Sequence, residues 1–112
     1  MILGNLQSAL KKVSGTQGAL LTSGKERRFI TGIFLSNITG GALTVTLDVT
    51  RGGVDYNICT AKSIAANDYL HIQGDHGPIV SMKDGDVLKG SCSSANNIHA
   101  VITFSELGSS GG

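Results

Sequence analysis

A strict alternation of apolar and polar side chains over residues 43–50 constrains the fold more than any other feature. In this run, LTVTLDVT, four aliphatic residues alternate with three threonines and Asp48. Side chains two positions apart lie on the same face of a β-strand, so this period predicts a strand with one apolar and one polar face. Such a strand needs a second apolar layer to cover it, and we therefore expect a layered β structure.

The chain from residue 28 onward contains further short runs that are typical of strands. Arg51-Gly52-Gly53 is typical of a hairpin turn, and Lys83-Asp84-Gly85-Asp86 carries the Asp-Gly turn signal. About seven or eight strands, with a turn signal roughly every 8–12 residues, predict an all-β, single-domain β-sandwich or jelly roll. The predicted strands are 29–36, 43–50, 54–60, 69–73, 79–82, 87–94 and 98–106.

The sequence divides into a predicted N-terminal arm (1–27), a sandwich body (28–107) and a flexible tail of glycine and serine (108–112). In the arm, Leu3, Leu6 and Leu10 recur at three- and four-residue steps, as in a short amphipathic helix. Glycines bracket this segment closely, and a helix this short is marginal alone. An extended segment laid on a neighbouring molecule is therefore an equal alternative.

Low charge excludes several classes of partner. The formal net charge is +1, and charged residues make up 15% of the chain. Sequence-independent binding to phosphates needs a clustered excess of Lys and Arg, so we expect no nucleic-acid partner. No apolar run is long enough for a membrane helix, and the N-terminal residues lack a signal-peptide pattern, which predicts no membrane partner and synthesis in a reducing cytoplasm. Few charges are present to protect sheet edges, which favours a role in an assembly.

Polar clusters give no pattern typical of catalysis or metal binding. His71, Asp75 and His76 lie within six residues, but Gly74 and Gly77 make this loop flexible and His99 would have to come from a distant strand. Residues 84–86 lack the further oxygen ligands of a calcium loop and are expected to form a β-turn. The chain has neither a Gly-x-Ser-x-Gly elbow nor a phosphate-binding loop. We therefore expect no catalytic, cofactor or metal site, and no enzyme activity.

The two cysteines and the few aromatic residues are expected to be structural. Cys59 and Cys92 form no CxxC motif, and spacing does not tell whether they pair. Alternation over residues 54–60 would direct Cys59 away from the core. Phe104, together with either Phe29 or Phe34, is expected in the core.

The densest group of charges lies at residues 25–28, where Lys25, Arg27 and Arg28 surround one glutamate. A group of this kind is either a solvated loop or a contact to an acidic partner. With the leucines of the arm, it supplies the candidate partner-contact residues, which are Leu3, Leu6, Leu10, Lys25, Arg27 and Arg28.

Several segments in order along the chain carry a resemblance. They are FITGIFLSN (29–37), ALTVTLDV (42–49), YNI (56–58), IAAND (64–68), KDGDVLKG (83–90) and IHAVITFSEL (98–107). Over roughly residues 28–106, this order resembles small virion proteins of tailed bacteriophages. By size and β character the chain looks most like the small jelly-roll capsid decoration (cement) proteins of epsilon15-like short-tailed phages.

This resemblance implies a structural protein on the capsid exterior of a virion, made in the host cytoplasm. Such a protein binds the outer surface of the shell as a homo-oligomer, a dimer or trimer, and bridges neighbouring copies of the major capsid protein without a cofactor. Two alternatives are a neck or tail component of a phage and a glycan- or receptor-binding β module. A shortage of exposed aromatic residues counts against the glycan-binding alternative.

Overall fold

Two antiparallel sheets pack face to face in the computed structural model, which describes residues 6–107. The strands are β1 (Leu6–Lys12), β2 (Gly18–Thr22), β3 (Arg27–Asn37), β4 (Leu43–Arg51), β5 (Val54–Ile64), β6 (Tyr69–Gln73), β7 (Val80–Met82), β8 (Val87–Cys92) and β9 (Ile98–Leu107). No helix occurs among the described residues. The predicted all-β, single-domain fold with two sheets is confirmed.

Each sheet places one of the last two strands of the chain between earlier strands. Sheet A has the order β1-β9-β3-β6, and β7 pairs with β3 as well. Sheet B has the order β2-β8-β4-β5. Thus β9 lies between β1 and β3, and β8 lies between β2 and β4.

The core lies between the sheets and follows the predicted alternation. On β4, Val45, Leu47 and Val49 are buried, whereas Thr46 and Asp48 between them are partly exposed. Sheet A contributes the inward side chains of its two central strands, which are Ile30, Ile33, Leu35, Ile98, Ala100, Ile102 and Phe104. Phe104 thus occupies the core position predicted for it.

The segment predicted as an arm supplies one strand to each sheet. Residues 6–12 are extended, so the helical alternative is wrong there, and they pair with β9 of the same chain. Gly18–Thr22 pairs with β8, and Val13, Leu20 and Leu21 are buried in the core. An arm separate from the sandwich is not confirmed over residues 6–27, because apolar side chains hold this part of the chain to the body. Leu3 and the predicted tail (108–112) lie outside the described residues.

Two bulges in β5 overturn the orientation expected for Cys59. Register shifts between β4 and β5 occur on both sides of the Leu47–Cys59 pair. Each bulge inserts one residue and reverses the alternation of side chains beyond it. Ile58 and Cys59 consequently both pack against the core, and burial raises the pKa of the Cys59 thiol. Cys59 and Cys92 are both free thiols.

Ser23 provides a stability test at the turn between β2 and β3. Its hydroxyl oxygen is buried and has no hydrogen-bond partner among the described residues, although its backbone N–H donates to the Asp86 carbonyl oxygen at 2.9 Å. A buried polar atom without a partner costs roughly 1–3 kcal/mol. We expect Ser23→Ala to keep or raise the free energy of unfolding, by up to about 1 kcal/mol, in a urea titration. A loss of stability would contradict this account of the hydroxyl.

Candidate functional site

Sheet B turns a polar, hydrogen-bonded surface outward. Its outer side chains are Thr44, Thr46, Asp48 and Thr50 on β4, Asp55 and Asn57 on β5, and Lys89 and Ser91 on β8. Asn57 Nδ2 donates to Asp48 Oδ1 at 2.9 Å, and Gln17 Nε2 donates to Asp48 Oδ2 at 3.1 Å. Hydrogen bonds, first from Thr50 and then from Gln17, lower the pKa of Asp55. Much of this polar surface is therefore hydrogen-bonded to itself.

Sheet A presents a different surface, which we call the A face. Because directly opposed residues share a face, the register assigns to it Leu6, Ser8, Leu10 and Lys12 from β1, His99, Val101, Thr103 and Ser105 from β9, Phe29, Phe34 and Ser36 from β3, and Tyr69, His71 and Gln73 from β6. The central strands β3 and β9 place no Asp, Glu, Lys or Arg side chain on it between residues 29–36 and 99–105. The A face is therefore mostly apolar or uncharged.

Aromatic side chains cover the half of the A face formed by β3 and β6. The Phe34 and Tyr69 rings stack with centroids 4.9 Å apart, and His71 lies tilted to Phe34 at 5.7 Å. At the other half, Leu10 is 73% exposed and Leu6 is 45% exposed. A contiguous patch of exposed apolar side chains is typical of a surface that contacts another molecule.

A groove of about 690 Å³ crosses the A face. Thr31, Gly32 and Thr103 line it together with Leu6, Phe29, His71, Gln73, Ser105 and the loop after β6. This loop requires glycine at position 74, because a Cβ there would lie 2.0 Å from the Gly77 carbonyl oxygen. A groove of this size, apolar with a few polar side chains, falls in the range of small-ligand sites.

The structure brings together three of the predicted contact residues and separates two others. Leu6 and Leu10 lie on the A face, and the Arg27 guanidinium lies 5.6 Å from the centroid of the Phe29 ring beside the groove. Arg28 instead closes one end of the sandwich, since its Nε donates to Glu106 at 2.9 Å. Lys25 is exposed in the turn between β2 and β3, where it lies beside Glu106 and not on the A face.

The residues considered for metal binding do not converge. Among residues 6–107, no three His, Cys, Asp or Glu side chains are grouped as metal ligands would be. The turn predicted at residues 84–86 is present, with Gly85 at φ +88°. Asp86 points inward from it and accepts hydrogen bonds from Arg51, so its carboxylate has a structural partner.

Sequence reasoning missed the aromatic part of the A face. Phe29 and Phe34 are both partly exposed on the outer surface of β3, so the expectation that one of them fills the core is wrong. The sequence of residues 29–36 did indicate such a surface, because this strand carries apolar side chains on both of its faces. A strand of this kind is either covered on both sides within its own chain or has one face available to a partner.

No protein-family model matches the chain, and no curated protein matches its sequence. The described residues contain no helix that could cross a membrane.

Proposed function

We propose that this chain is a structural virion protein that binds the outer surface of a phage capsid and bridges neighbouring capsid subunits. The A face is its contact surface. The contrast between the two outer faces carries this proposal, since one face is polar and internally hydrogen-bonded and the other exposes leucine, valine and aromatic side chains. Burying the apolar face gains about 25 cal/mol for each Å² removed from water.

The strand order supports a jelly roll, the finer form of the fold that we propose. Consecutive strands alternate between the sheets from β1 to β4, and the last two strands insert between earlier ones. Two interleaved four-stranded sheets are the architecture of the eight-stranded jelly roll, which occurs in viral capsid and lectin domains. β7 is a short addition at one edge of sheet A.

A bridging role needs apolar area rather than catalytic groups. A protein that binds only the assembled shell stabilises it by mass action, and several modest contacts to adjacent subunits reinforce one another. The low charge of the A face suits such contacts, because few ions have to be desolvated when it is covered.

One observation favours a second candidate function, the binding of a glycan or another receptor group. The groove combines the Phe29 ring with the hydrogen-bonding side chains of His71 and Gln73. Saturable binding to a glycan panel, abolished by Gln73→Ala, would favour this function over capsid binding.

The test of capsid binding compares two lysine substitutions on opposite faces. Thr103 lies at the centre of the A face and Thr44 on the outer face of sheet B, and both are partly exposed. We expect Thr103→Lys to weaken binding to undecorated phage capsids by about tenfold or more, because it buries an unpaired charge in the contact. Thr44→Lys should bind like the wild type.

Electron microscopy of the mixtures provides the readout. Ordered extra density on the shell with the wild type and Thr44→Lys, lost with Thr103→Lys, is the expected result. Equal binding by both variants would place the contact elsewhere than on the A face. Rings seen alone or at a vertex would point to a neck or tail component instead.

A further inference from the structure

The two sheets have four edges, and the edge formed by β1 differs from the others in its regularity. β2 contains a register shift between Ala19 and Leu21, and β5 contains two shifts with Ala61 at φ +47°. The remaining edge is divided between β6 and β7 by the loop at 74–79. Bulges and interruptions are devices that prevent edges from pairing with other chains. β1 has none of them and keeps one register with β9 over all seven residues.

Among residues 6–107, β9 is the one strand that pairs with β1, which leaves the hydrogen-bonding groups on the other side of the β1 backbone available for another strand. The Val13 N–H donates to the Ile98 carbonyl oxygen at 2.8 Å. In an antiparallel pair, alternate residues bond to the neighbouring strand, so the backbone groups of residues 7, 9 and 11 are directed to β9. The groups of residues 6, 8, 10 and 12 are directed outward, away from sheet A.

A second copy of β1 fits this edge in the antiparallel direction. When the two strands are centred on Ala9, residues 6 and 8 of one copy lie opposite residues 12 and 10 of the other. All four positions have outward backbone groups, so the ladder is satisfied over the full strand. Ala9 then faces itself across a two-fold axis, as a closed dimer requires.

Each face of this pairing contains one favourable side-chain contact. On the A face, Leu10 lies diagonal to Leu10 of the second copy, within reach of its apolar atoms. On the inner face, Lys11 lies opposite Gln7 of the second copy. Gln7 Nε2 donates to Glu106 Oε1 at 2.7 Å, so the lysine comes beside a carboxylate. A parallel pairing in register would instead place Lys11 and Lys12 beside their own counterparts, where like charges repel.

We propose that two copies of this chain form a dimer through antiparallel pairing of their β1 strands. The pairing makes one continuous sheet from the two A sheets and joins the two A faces into one surface. The dimer itself does not depend on the proposed function; only the role of the joined surface, contact with a capsid, rests on it. Because the dimer forms between free copies, it is measured without capsids, and failure of capsid binding leaves it untouched.

The first test is the oligomeric state in solution. Analytical ultracentrifugation over a concentration series should show a dimer for the wild type and at least a hundredfold weaker association for Leu10→Lys. Tyr69→Lys is the matched control, because it removes an apolar side chain that is 59% exposed on the same face but at the opposite edge. It should remain a dimer. A monomeric or trimeric wild type, or an unchanged dimer with Leu10→Lys, would overturn the proposal.

A second test fixes the register. Ala9→Cys should form a cross-linked dimer when copper–phenanthroline oxidises the two thiols, because residue 9 faces residue 9 at a separation that a disulfide spans. Gln7→Cys should give no more cross-linking than the wild type, whose own Cys59 and Cys92 set the background. Equal cross-linking of both variants would overturn the centred antiparallel register.

Discussion

Replacing Asp86 with alanine is expected to lower the free energy of unfolding by about 2–3 kcal/mol at neutral pH. The carboxylate is 2% exposed and accepts hydrogen bonds from Arg51 Nη2 at 2.6 Å, Arg51 Nε at 2.9 Å and the Lys83 backbone N–H at 2.8 Å. These bonds join the turn before β8 to the end of β4. The Arg51 side chain is 44% exposed and returns to water when its partner is removed, which keeps the loss moderate.

The contribution of Asp86 to the free energy of unfolding should disappear in acid. The hydrogen bond from Arg51 lowers the pKa of Asp86 most, and the Lys83 N–H and the Arg51 charge lower it further against the opposing effect of burial. A group whose pKa is lower in the folded protein stabilises it fully above the unfolded value, about 3.9. This stability is lost as pH falls through the folded pKa.

Urea titrations at pH 7 and near pH 2 measure this difference. The unfolding midpoint of Asp86→Ala should lie well below that of the wild type at pH 7 and approach it at the lower pH. Asp84→Ala, in the same turn but exposed, is the control and should match the wild type throughout. An Asp86→Ala midpoint equal to that of the control at pH 7 would contradict the structural role.

Asn37→Asp is expected to have a similarly large effect, a loss of about 3 kcal/mol. The buried amide donates to the carbonyl oxygens of Gly41 (2.8 Å), Ile64 (3.0 Å) and Ala65 (3.2 Å), and its Oδ1 accepts from the Thr39 N–H at 2.9 Å. One side chain thus joins the end of β3 to the turns beside it. Aspartate keeps the shape but directs a carboxylate oxygen at three carbonyl oxygens.

The control for Asn37→Asp is Asn67→Asp, an exposed position in the neighbouring β5–β6 connection. Asn67 has φ +56°, which aspartate also tolerates. Thermal and urea unfolding should show a large loss for position 37 and little change for position 67. Equal effects would show that the added charge, and not the lost donors, destabilises the chain.

The alternation of apolar and polar residues and the turn residues predicted most of the sandwich body, because each depends only on residues that are close together in the sequence. The threonine strand keeps its period over residues 43–50, and the turns at Gly52, Gly53 and Gly85 adopt the positive φ that glycine permits. The bulges in β5 were not predictable, since a one-residue insertion leaves no mark in composition. They reverse the side-chain order and explain the wrong orientation expected for Cys59.

The sequence of the N-terminal segment was compatible with both a helix and an extended strand. Leu6 and Leu10 are four residues apart, a spacing that fits one face of a helix and equally one face of a strand. The segment is a strand because it pairs with β9, which lies roughly ninety residues later in the chain. A pairing between such distant segments cannot be predicted from neighbouring residues. The A face was only partly predictable for the same reason: its leucines were identified as contacts, but its aromatic half depends on which side of β3 the core covers.

The interleaved strand order has a consequence for synthesis on the ribosome. β8 and β9 fill the central gaps in both sheets, so neither sheet can close while these strands are still within the ribosome. Until then β1 and β2 lack the strands with which they pair, and the apolar side chains of β3 and β4 are incompletely covered. Folding therefore waits until β8 and β9 have been synthesised, and a nascent chain stalled before β9 would depend on chaperones to stay out of aggregates.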